Sequence, residues 1–209
     1  MARITKLEPS KHIGGRFLVF FEDAEQSLLK VTEDEVLHFA LFTGKELDAP
    51  TLTALTQAAQ RSNARATAAR IIGARPLSKG ELIRRLMEKG SDRDCAQAAA
   101  DWLEDIGAIN EPEYANMLAR HYAAKGYGVR KIQDEFFKRR VPRDCWSQAL
   151  EALEAPDDVI DGLIEKKLRG KVPDRKELSR VSAFLARRGF SWSEIREGLA
   201  RYGATLEEC

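Results

Sequence analysis

The sequence repeats one helical pattern with a period near 50 residues. From residue 63 onward, apolar and charged positions alternate with a period near 3.6, as in amphipathic helices. A shift of 50 superposes the Arg-Asp-Cys segment at residues 93–95 on the one at residues 143–145. Apolar positions coincide too, and a further shift of 49 adds a third copy: Leu82, Ile132 and Val181; Leu86, Phe136 and Leu185; Leu103 and Leu153. The sequence therefore predicts three successive copies of one unit.

Helix start and stop signals divide each copy into three helices. A capping residue followed three positions later by Glu marks helix N-termini, at Thr32 with Glu35, Ser78 with Glu81, Asn110 with Glu113, Asp174 with Glu177 and Ser191 with Glu194. Glycines typical of helix C-termini follow, namely Gly73, Gly90, Gly107, Gly126, Gly170 and Gly189. These signals predict short helices in units spanning about residues 67–103, 114–153 and 159–202.

The first 62 residues have a different pattern. Residues 16–21 form an aromatic and β-branched run, residues 27–31 form a shorter apolar run, and a polar segment separates them, which predicts a β-hairpin. Thr32 then begins a helix that reaches about residue 41 and is stopped by Gly44, and a second helix begins after Pro50.

Together these patterns predict a mainly α fold. Three tandem three-helix repeats follow a small N-terminal module that contains the hairpin, with limits at residues 1–62, 63–108, 109–155 and 156–209. A unit of about 50 residues cannot bury a full core alone, so neighbouring units must stack. We expect an elongated curved rod whose long surface suits an extended partner.

Charge and cysteine content exclude several classes of protein. The net charge is +1, from 34 Lys plus Arg and 33 Asp plus Glu, so no bulk field drives the chain onto DNA or a membrane. Three cysteines at spacings of 50 and 64 fit neither a disulfide framework nor paired zinc ligands. No apolar stretch is long enough to span a bilayer, and residues 1–15 carry charges where a signal peptide is apolar. We expect a cytoplasmic protein.

No set of residues is arranged for catalysis. The sequence has no nucleophile elbow, no phosphate-binding glycine loop and no dinucleotide fingerprint. His12, His38 and His121 lie in unlike segments, so we expect neither a metal site nor a cofactor. We interpret Cys95, Cys145, Trp102, Trp146 and Trp192 as packing residues.

Basic clusters are the leading candidates for a binding function. They comprise Arg84, Arg85 and Lys89, then Lys138, Arg139, Arg140 and Arg143, then Arg187 and Arg188. On stacked units they would form a ridge that meets phosphates or an acidic protein groove. Cations near helix C-termini also occur simply because they favour the helix dipole, so this alternative stays open.

A glycine-containing turn in the middle unit offers a second candidate. The segment at residues 125–128 reads Lys-Gly-Tyr-Gly, and its candidate contact residues are Lys125, Tyr127, Arg130 and Lys131. Tyr127 either fills the gap between two helices or projects outward as a contact residue, since Tyr and Arg are common at interfaces.

Each unit carries its own set of residues in a characteristic order and spacing. The first unit carries Arg75-Pro76, Glu81-Leu82, Leu86, Lys89-Gly90 and Trp102-Leu103. The middle unit carries Gly107, Ile109-Asn110-Glu111, Tyr114-Ala115, Lys125-Gly126-Tyr127-Gly128, Ile132 and Glu135. The last unit carries Phe184-Leu185, Arg187-Arg188-Gly189-Phe190 and Ile195. Taken together, these residues resemble the RecX family. The resemblance covers about residues 65–202, and the N-terminal module looks like the β-containing extension of some members. Arg140 in place of a glycine and Ser91 in place of an apolar residue depart from the family pattern.

The resemblance implies a non-enzymatic regulator that acts in homologous recombination, DNA repair and the SOS response. Such a protein lies in the groove of the RecA filament on single-stranded DNA and mostly inhibits recombinase, ATPase and coprotease activities. The basic clusters and Tyr127 are then the candidate partner-binding residues, and the ridge can also contact single- or double-stranded DNA. We expect a monomer that does not bind membranes. A stand-alone DNA-binding protein and a positive modulator of RecA are the alternatives.

Overall fold

The computed structural model describes residues 2–11, 13–22, 28–153, 157–170 and 173–202. The chain divides into two compact halves, Met1–Ile109 and Asn110–Cys209. The first half contains a sheet and one three-helix core, and the second half contains two further three-helix cores.

The N-terminal module contains a four-stranded antiparallel sheet. Its strands are β1 (Ala2–Pro9), β2 (Arg16–Glu22), β3 (Leu28–Thr32) and β4 (Glu46–Leu47), in the order β3-β2-β1-β4. The pairing of β2 with β3 confirms the predicted hairpin, whose connecting residues 23–27 lie outside the described residues. Strands β1 and β4 were not predicted from the sequence. A register shift between Ile4 and Lys6 interrupts the alternation of β1, and β4 has only two residues.

Helices α1 (Glu33–His38) and α2 (Ala49–Ala74) follow the sheet. The predicted capping box of Thr32 and Glu35 is present, but α1 ends at His38, before residue 41, and Ala40 adopts a φ of 45°. Asp48 caps α2. The sheet core is closed by Leu55 and Ala59 from the first half of α2.

Helix α2 belongs to two cores. Its second half contributes Ala64 and Ala68 to the first three-helix core, so the limit predicted between residues 62 and 63 falls inside one continuous helix. The stop predicted at Gly73 falls one residue before the end of α2, although Gly73 itself is helical. The helix ends at Ala74, where Arg75 is extended as residues before proline usually are.

The remaining helices form the three units. They are α3 (Lys79–Glu88), α4 (Arg93–Asp105), α5 (Glu111–Ala124), α6 (Val129–Lys138), α7 (Trp146–Glu151), α8 (Asp157–Leu168), α9 (Arg175–Arg187) and α10 (Trp192–Arg201). The first core joins α2 with α3 and α4, the second joins α5 to α7, and the third joins α8 to α10. A short 3-10 helix, Arg143–Cys145, precedes α7.

The structure confirms the internal repeat. Helices α3 and α6 begin and end 50 residues apart. All six positions matched by the shifts of 50 and 49 in the second helices are buried: Leu82, Leu86, Ile132, Phe136, Val181 and Leu185. The mainly helical fold with three three-helix units is therefore confirmed.

Two of the three tryptophans pack as predicted. Trp102 and Trp146 are half-buried, and the Trp146 indole N–H donates to the Val141 carbonyl oxygen at 3.0 Å. The packing prediction is wrong for Trp192, which is 55 % exposed. Ser191 caps α10, so Trp192 is its first residue, whereas Ile195 and Leu199 form the buried stripe.

Left-handed residues end several helices, as the glycines predicted. Gly90 and Gly189 have φ values of 89° and 90° after α3 and α9. Arg140 occupies the equivalent place after α6 and adopts the same conformation, with φ at 56°. The departure from the family pattern at Arg140 therefore preserves the turn but places a side chain in a backbone region that favours glycine.

We predict that Arg140→Gly raises the free energy of unfolding by about 0.5 to 1 kcal/mol, because relief of left-handed strain exceeds the added entropy of the unfolded chain. Chemical denaturation monitored by circular dichroism measures this change. Arg140→Ala is the control and should give no gain, since alanine has the same backbone strain. Equal stabilisation by both variants would show that strain is not the cause.

Candidate partner-binding surface

Two cations of the first unit neutralise a buried carboxylate. Arg84 Nη2 and Arg85 Nε each lie 2.8 Å from Glu81 Oε1, and Glu81 is buried at the start of α3. Burial raises the pKa of Glu81, but the hydrogen bonds from the two arginines outweigh it and leave the pKa below its ordinary value. Arg84 also pairs with Glu88. These two arginines therefore have a local structural role.

Glu135 has the same role in the middle unit. Its carboxylate accepts hydrogen bonds from the Tyr122 hydroxyl at 2.9 Å and from Lys138 Nζ at 3.2 Å. Arg139 Nε lies 3.7 Å away and Lys131 Nζ 4.0 Å away. Burial raises the pKa of Glu135, yet these partners lower it overall. Three of the candidate cations therefore surround one carboxylate.

We predict that Glu135→Gln lowers the free energy of unfolding by about 1 kcal/mol at pH 7, because charge-assisted hydrogen bonds are lost. Since folding lowers the pKa of Glu135, its contribution is present above the ordinary value of 4.5 and is lost as pH falls through the lower folded pKa. Denaturation curves from pH 7 to pH 3 measure both effects.

The control for this prediction is Glu88→Gln, which removes an exposed partner of Arg84. Its effect should stay below about 0.5 kcal/mol at every pH. A Glu135→Gln difference that does not shrink in acid would contradict the assignment.

The segment 125–128 meets the end of α9 in a backbone joint. The Gly128 N–H donates to the Arg188 carbonyl oxygen at 2.9 Å, and the Arg130 N–H donates to the Gly189 carbonyl oxygen at 3.1 Å. Arg188 Nη1 donates to the carbonyl oxygens of Lys125 and Gly126 at 2.7 and 2.9 Å. We call residues 125–130 with 188–189 the joint, because they connect the second and third units.

Tyr127 lies within the joint. It is half-buried, its ring centroid is 5.9 Å from that of Tyr122, and the Arg188 guanidinium lies 5.1 Å from it. The Arg188 guanidinium also lies 5.0 Å from the Phe184 ring centroid. The structure thus places Tyr127 and Arg188, both candidate partner contacts, in packing between helices.

Close backbone approach explains both glycines at the centre of the joint. A Cβ on Gly128 would lie 2.5 Å from the Gly189 carbonyl oxygen. A Cβ on Gly189 would lie 2.4 Å from the Lys131 backbone nitrogen. Neither atom belongs to a flexible side chain, so the backbones must separate to admit any other residue.

We predict that Gly128→Ala destabilises the protein by about 2 kcal/mol, since the added methyl group overlaps backbone atoms. Thermal unfolding of the full chain measures this loss. Gly73→Ala is the matched control: Gly73 lies near the end of α2 with open space around it, so alanine there should cause no loss and should stabilise the helix by at most about 0.5 kcal/mol. Unchanged stability in Gly128→Ala would show that the two backbones of the joint can separate at little cost in free energy.

Many of the candidate cations are exposed, including Lys138, which also pairs with Glu135. The exposed members are Lys89, Lys125, Arg130, Lys138, Arg140, Arg143 and Arg187. Lys89, Arg139 and Arg188 directly follow α3, α6 and α9 and are equivalent in the repeat. Arg84 and Arg85 are instead equivalent to Asp134 and Glu135, so the predicted recurrence of cations is restricted to the helix ends.

Phe137 is an exposed residue that was not among the candidates predicted from the sequence. Its side chain is 69 % exposed, beside the buried Phe136. Ile132 and Phe136 already define the buried stripe of α6 at a spacing of four, so an apolar residue at position 137 must lie off it, and that signal was available. The equivalent residue of the first unit, Met87, is 43 % exposed. We call Phe137, Lys138, Arg140 and Arg143 the α6-end surface.

The described residues contain no cluster of three His, Cys, Asp or Glu side chains placed to hold a metal ion. Burial raises the pKa of Cys95 and Cys145 to about 11, so both are neutral thiols near pH 7. His12 lies outside the described residues. Of the helices the structure describes, none is long and apolar enough to cross a membrane.

The fold and surface define a class of helical-repeat protein with tandem three-helix units. The family model "RecX, second three-helix domain" matches residues 110–150, and "RecX, third three-helix domain" matches residues 157–199. A "Regulatory protein RecX" from Chromohalobacter salexigens is 30 % identical over 143 residues, which is 68 % of this chain and 93 % of that protein. One from Vibrio campbellii is 29 % identical over 160 residues, covering 75 % and 96 %. The chain belongs to the RecX family, and its relatives give it a regulatory role.

Solved structures share the fold. A crystal structure of regulatory protein RecX superposes with a TM-score of 0.70 at 20 % identity, covering 96 % of this chain and all of that one. The crystal structure of RecX from Lactobacillus salivarius gives a TM-score of 0.63 at 17 % identity, covering 69 % of this chain and 97 % of that one.

Proposed function

We propose that this protein binds the RecA filament on single-stranded DNA and restrains its recombinase, ATPase and coprotease activities. Membership of a family of regulatory proteins supports a regulatory target. The observation that carries the proposal at the level of residues is the exposed aromatic and cationic end of α6.

Phe137 is the central residue of the proposed contact. A side chain that is 69 % exposed leaves a large apolar area in water, and burying it in a partner is favourable. Phenylalanine and arginine side chains are enriched at protein interfaces. Phe137 lies in the last turn of α6 and Arg140 lies two residues beyond its end, so both types occur at one helix end.

Arg140 and Arg143 supply the charge of this contact. Within the part of the chain that the structure describes, no carboxylate lies within 4.0 Å of either guanidinium, unlike those of Arg84 and Arg85. Arg143 lies 5.3 Å from the Trp146 ring centroid. These cations can therefore meet an acidic protein groove or phosphates without first breaking an internal ion pair.

Binding over several units explains inhibition without catalysis. Contacts from more than one repeat add up, so no deep pocket is required. A ligand that binds one filament state more tightly shifts the population toward that state, and one that covers the growing end stops extension. Either effect restrains the filament. Cytoplasmic location and action as a monomer belong to the same proposal.

The test adds purified protein to preformed RecA filaments and follows ATP hydrolysis and filament length. The wild type should slow hydrolysis and shorten filaments. Phe137→Ala with Arg140→Gln should require about tenfold more protein for half-inhibition, equivalent to about 1.4 kcal/mol of binding free energy. The matched control, Met117→Ala with Arg120→Gln, changes one exposed apolar residue and one exposed arginine on α5 and should stay within about twofold.

Two results would contradict the proposal. Inhibition fully explained by binding to bare DNA, with affinity that falls steeply with salt, would favour the stand-alone DNA-binding alternative. Longer filaments and faster hydrolysis would favour a positive modulator. Equal effects of the α6-end variant and its control on half-inhibition would show that the contact lies elsewhere on the protein.

A further inference from the structure

The third unit has a basic cavity at its surface, half open to solvent, that the proposed contact with RecA does not use. Its volume is about 580 Å³, and Lys166, Lys167 and Arg169 at its wall are exposed. It is lined by Leu163, Lys166, Lys167, Arg169, Phe184 and Arg188. Four of the six lining residues that the structure describes are cations, so the cavity favours an anion.

The aromatic ring in this cavity is already in contact with cations. Lys167 Nζ lies 4.5 Å from the Phe184 ring centroid, and the Arg188 guanidinium carbon lies 5.0 Å from it. Because both cations interact with this ring, it orients them instead of offering a platform for a stacked base. The polar groups of the ligand, not an aromatic group, should provide recognition.

These four cations differ from those around Glu81 and Glu135. Among the described residues, no carboxylate lies within 4.0 Å of Lys166, Lys167, Arg169 or Arg188. Like charges gathered around one cavity repel each other, and a bound anion would remove that repulsion. The wall thus has the charge of an anion site without an internal counterion.

We propose that this cavity binds a short oligophosphate, either free or as the phosphate chain of a nucleotide. A chain of two or three phosphates carries several negative charges, which match several converging Lys and Arg side chains better than a single carboxylate does. The cavity volume accommodates such a chain. The site is independent of the proposed action on RecA.

Arg188 connects this site to the joint. Its Nη1 donates to the Lys125 and Gly126 carbonyl oxygens, while the same guanidinium lines the cavity. An anion that contacts this guanidinium holds it where it bridges the second and third units. Ligand binding should therefore stabilise the junction of these two units as well as the third unit itself.

The test measures binding of tripolyphosphate to the full chain by titration calorimetry and thermal unfolding at constant ionic strength. The wild type should bind saturably, and its melting temperature should rise with ligand concentration. A variant with Lys166→Gln, Lys167→Gln and Arg169→Gln should bind about tenfold more weakly or worse. Arg188 is left intact, because its replacement would also disturb the joint.

The matched control carries Lys176→Gln, Arg180→Gln and Arg196→Gln. These exposed residues of α9 and α10 do not line the cavity, and the control loses the same net charge. Its affinity should stay within about twofold of the wild type. Circular dichroism without ligand checks that both variants fold, and equal weakening in both would overturn the proposal as a general charge effect.

Further ligands distinguish the source of the phosphates. Adenosine triphosphate that binds more tightly than tripolyphosphate would identify a nucleotide, and equal affinity would identify a free oligophosphate. No saturable binding of tripolyphosphate to the wild type would overturn the proposal. The proposal would also be overturned if replacing the cavity cations weakened the binding of a single-stranded oligonucleotide but not of tripolyphosphate. The site would then serve a nucleic-acid backbone.

Discussion

A pair of buried apolar side chains, four residues apart in the second helix of each unit, is the contact on which the repeated architecture depends. Leu82 with Leu86, Ile132 with Phe136 and Val181 with Leu185 fix how each second helix packs into its core. Because the spacing from this pair to the helix end is constant, the left-handed residue and the cation before it fall at equivalent places. Surface chemistry can then vary while the core pattern stays the same.

The basic residues separate into three groups by their surroundings. Those around Glu81 and Glu135 compensate a carboxylate within one unit, and Arg188 connects two units through carbonyl oxygens. Arg140 and Arg143 have no such internal partner among the described residues, and the proposed function assigns them to an external one. Equal charge therefore does not mean equal function, and the acidic neighbours decide which role a cation has.

Local signals predicted most of the fold. Apolar spacing and caps gave the repeated units, and the hairpin of β2 and β3 followed from its two apolar runs. β1 was missed because a register shift breaks its alternation. A helix after Pro50 was predicted, but its continuity into the first three-helix core was not, because one helix serves two cores. The site was less predictable: Tyr122 and Glu135 are 13 residues apart, and Arg188 and Lys125 are 63 apart. Such pairings depend on packing, whereas Phe137 was readable from the stripe of α6.

Helix α2 connects the N-terminal sheet rigidly to the first three-helix core. Its 26 residues correspond to about 39 Å of continuous backbone, with Leu55 and Ala59 beneath the sheet and Ala64 and Ala68 among the first three-helix bundle. A displacement of the strands is therefore transmitted along the continuous helix to α3 and α4. Removal of residues 1–62 would cut α2 midway, and the apolar side of the remaining helical segment would face water.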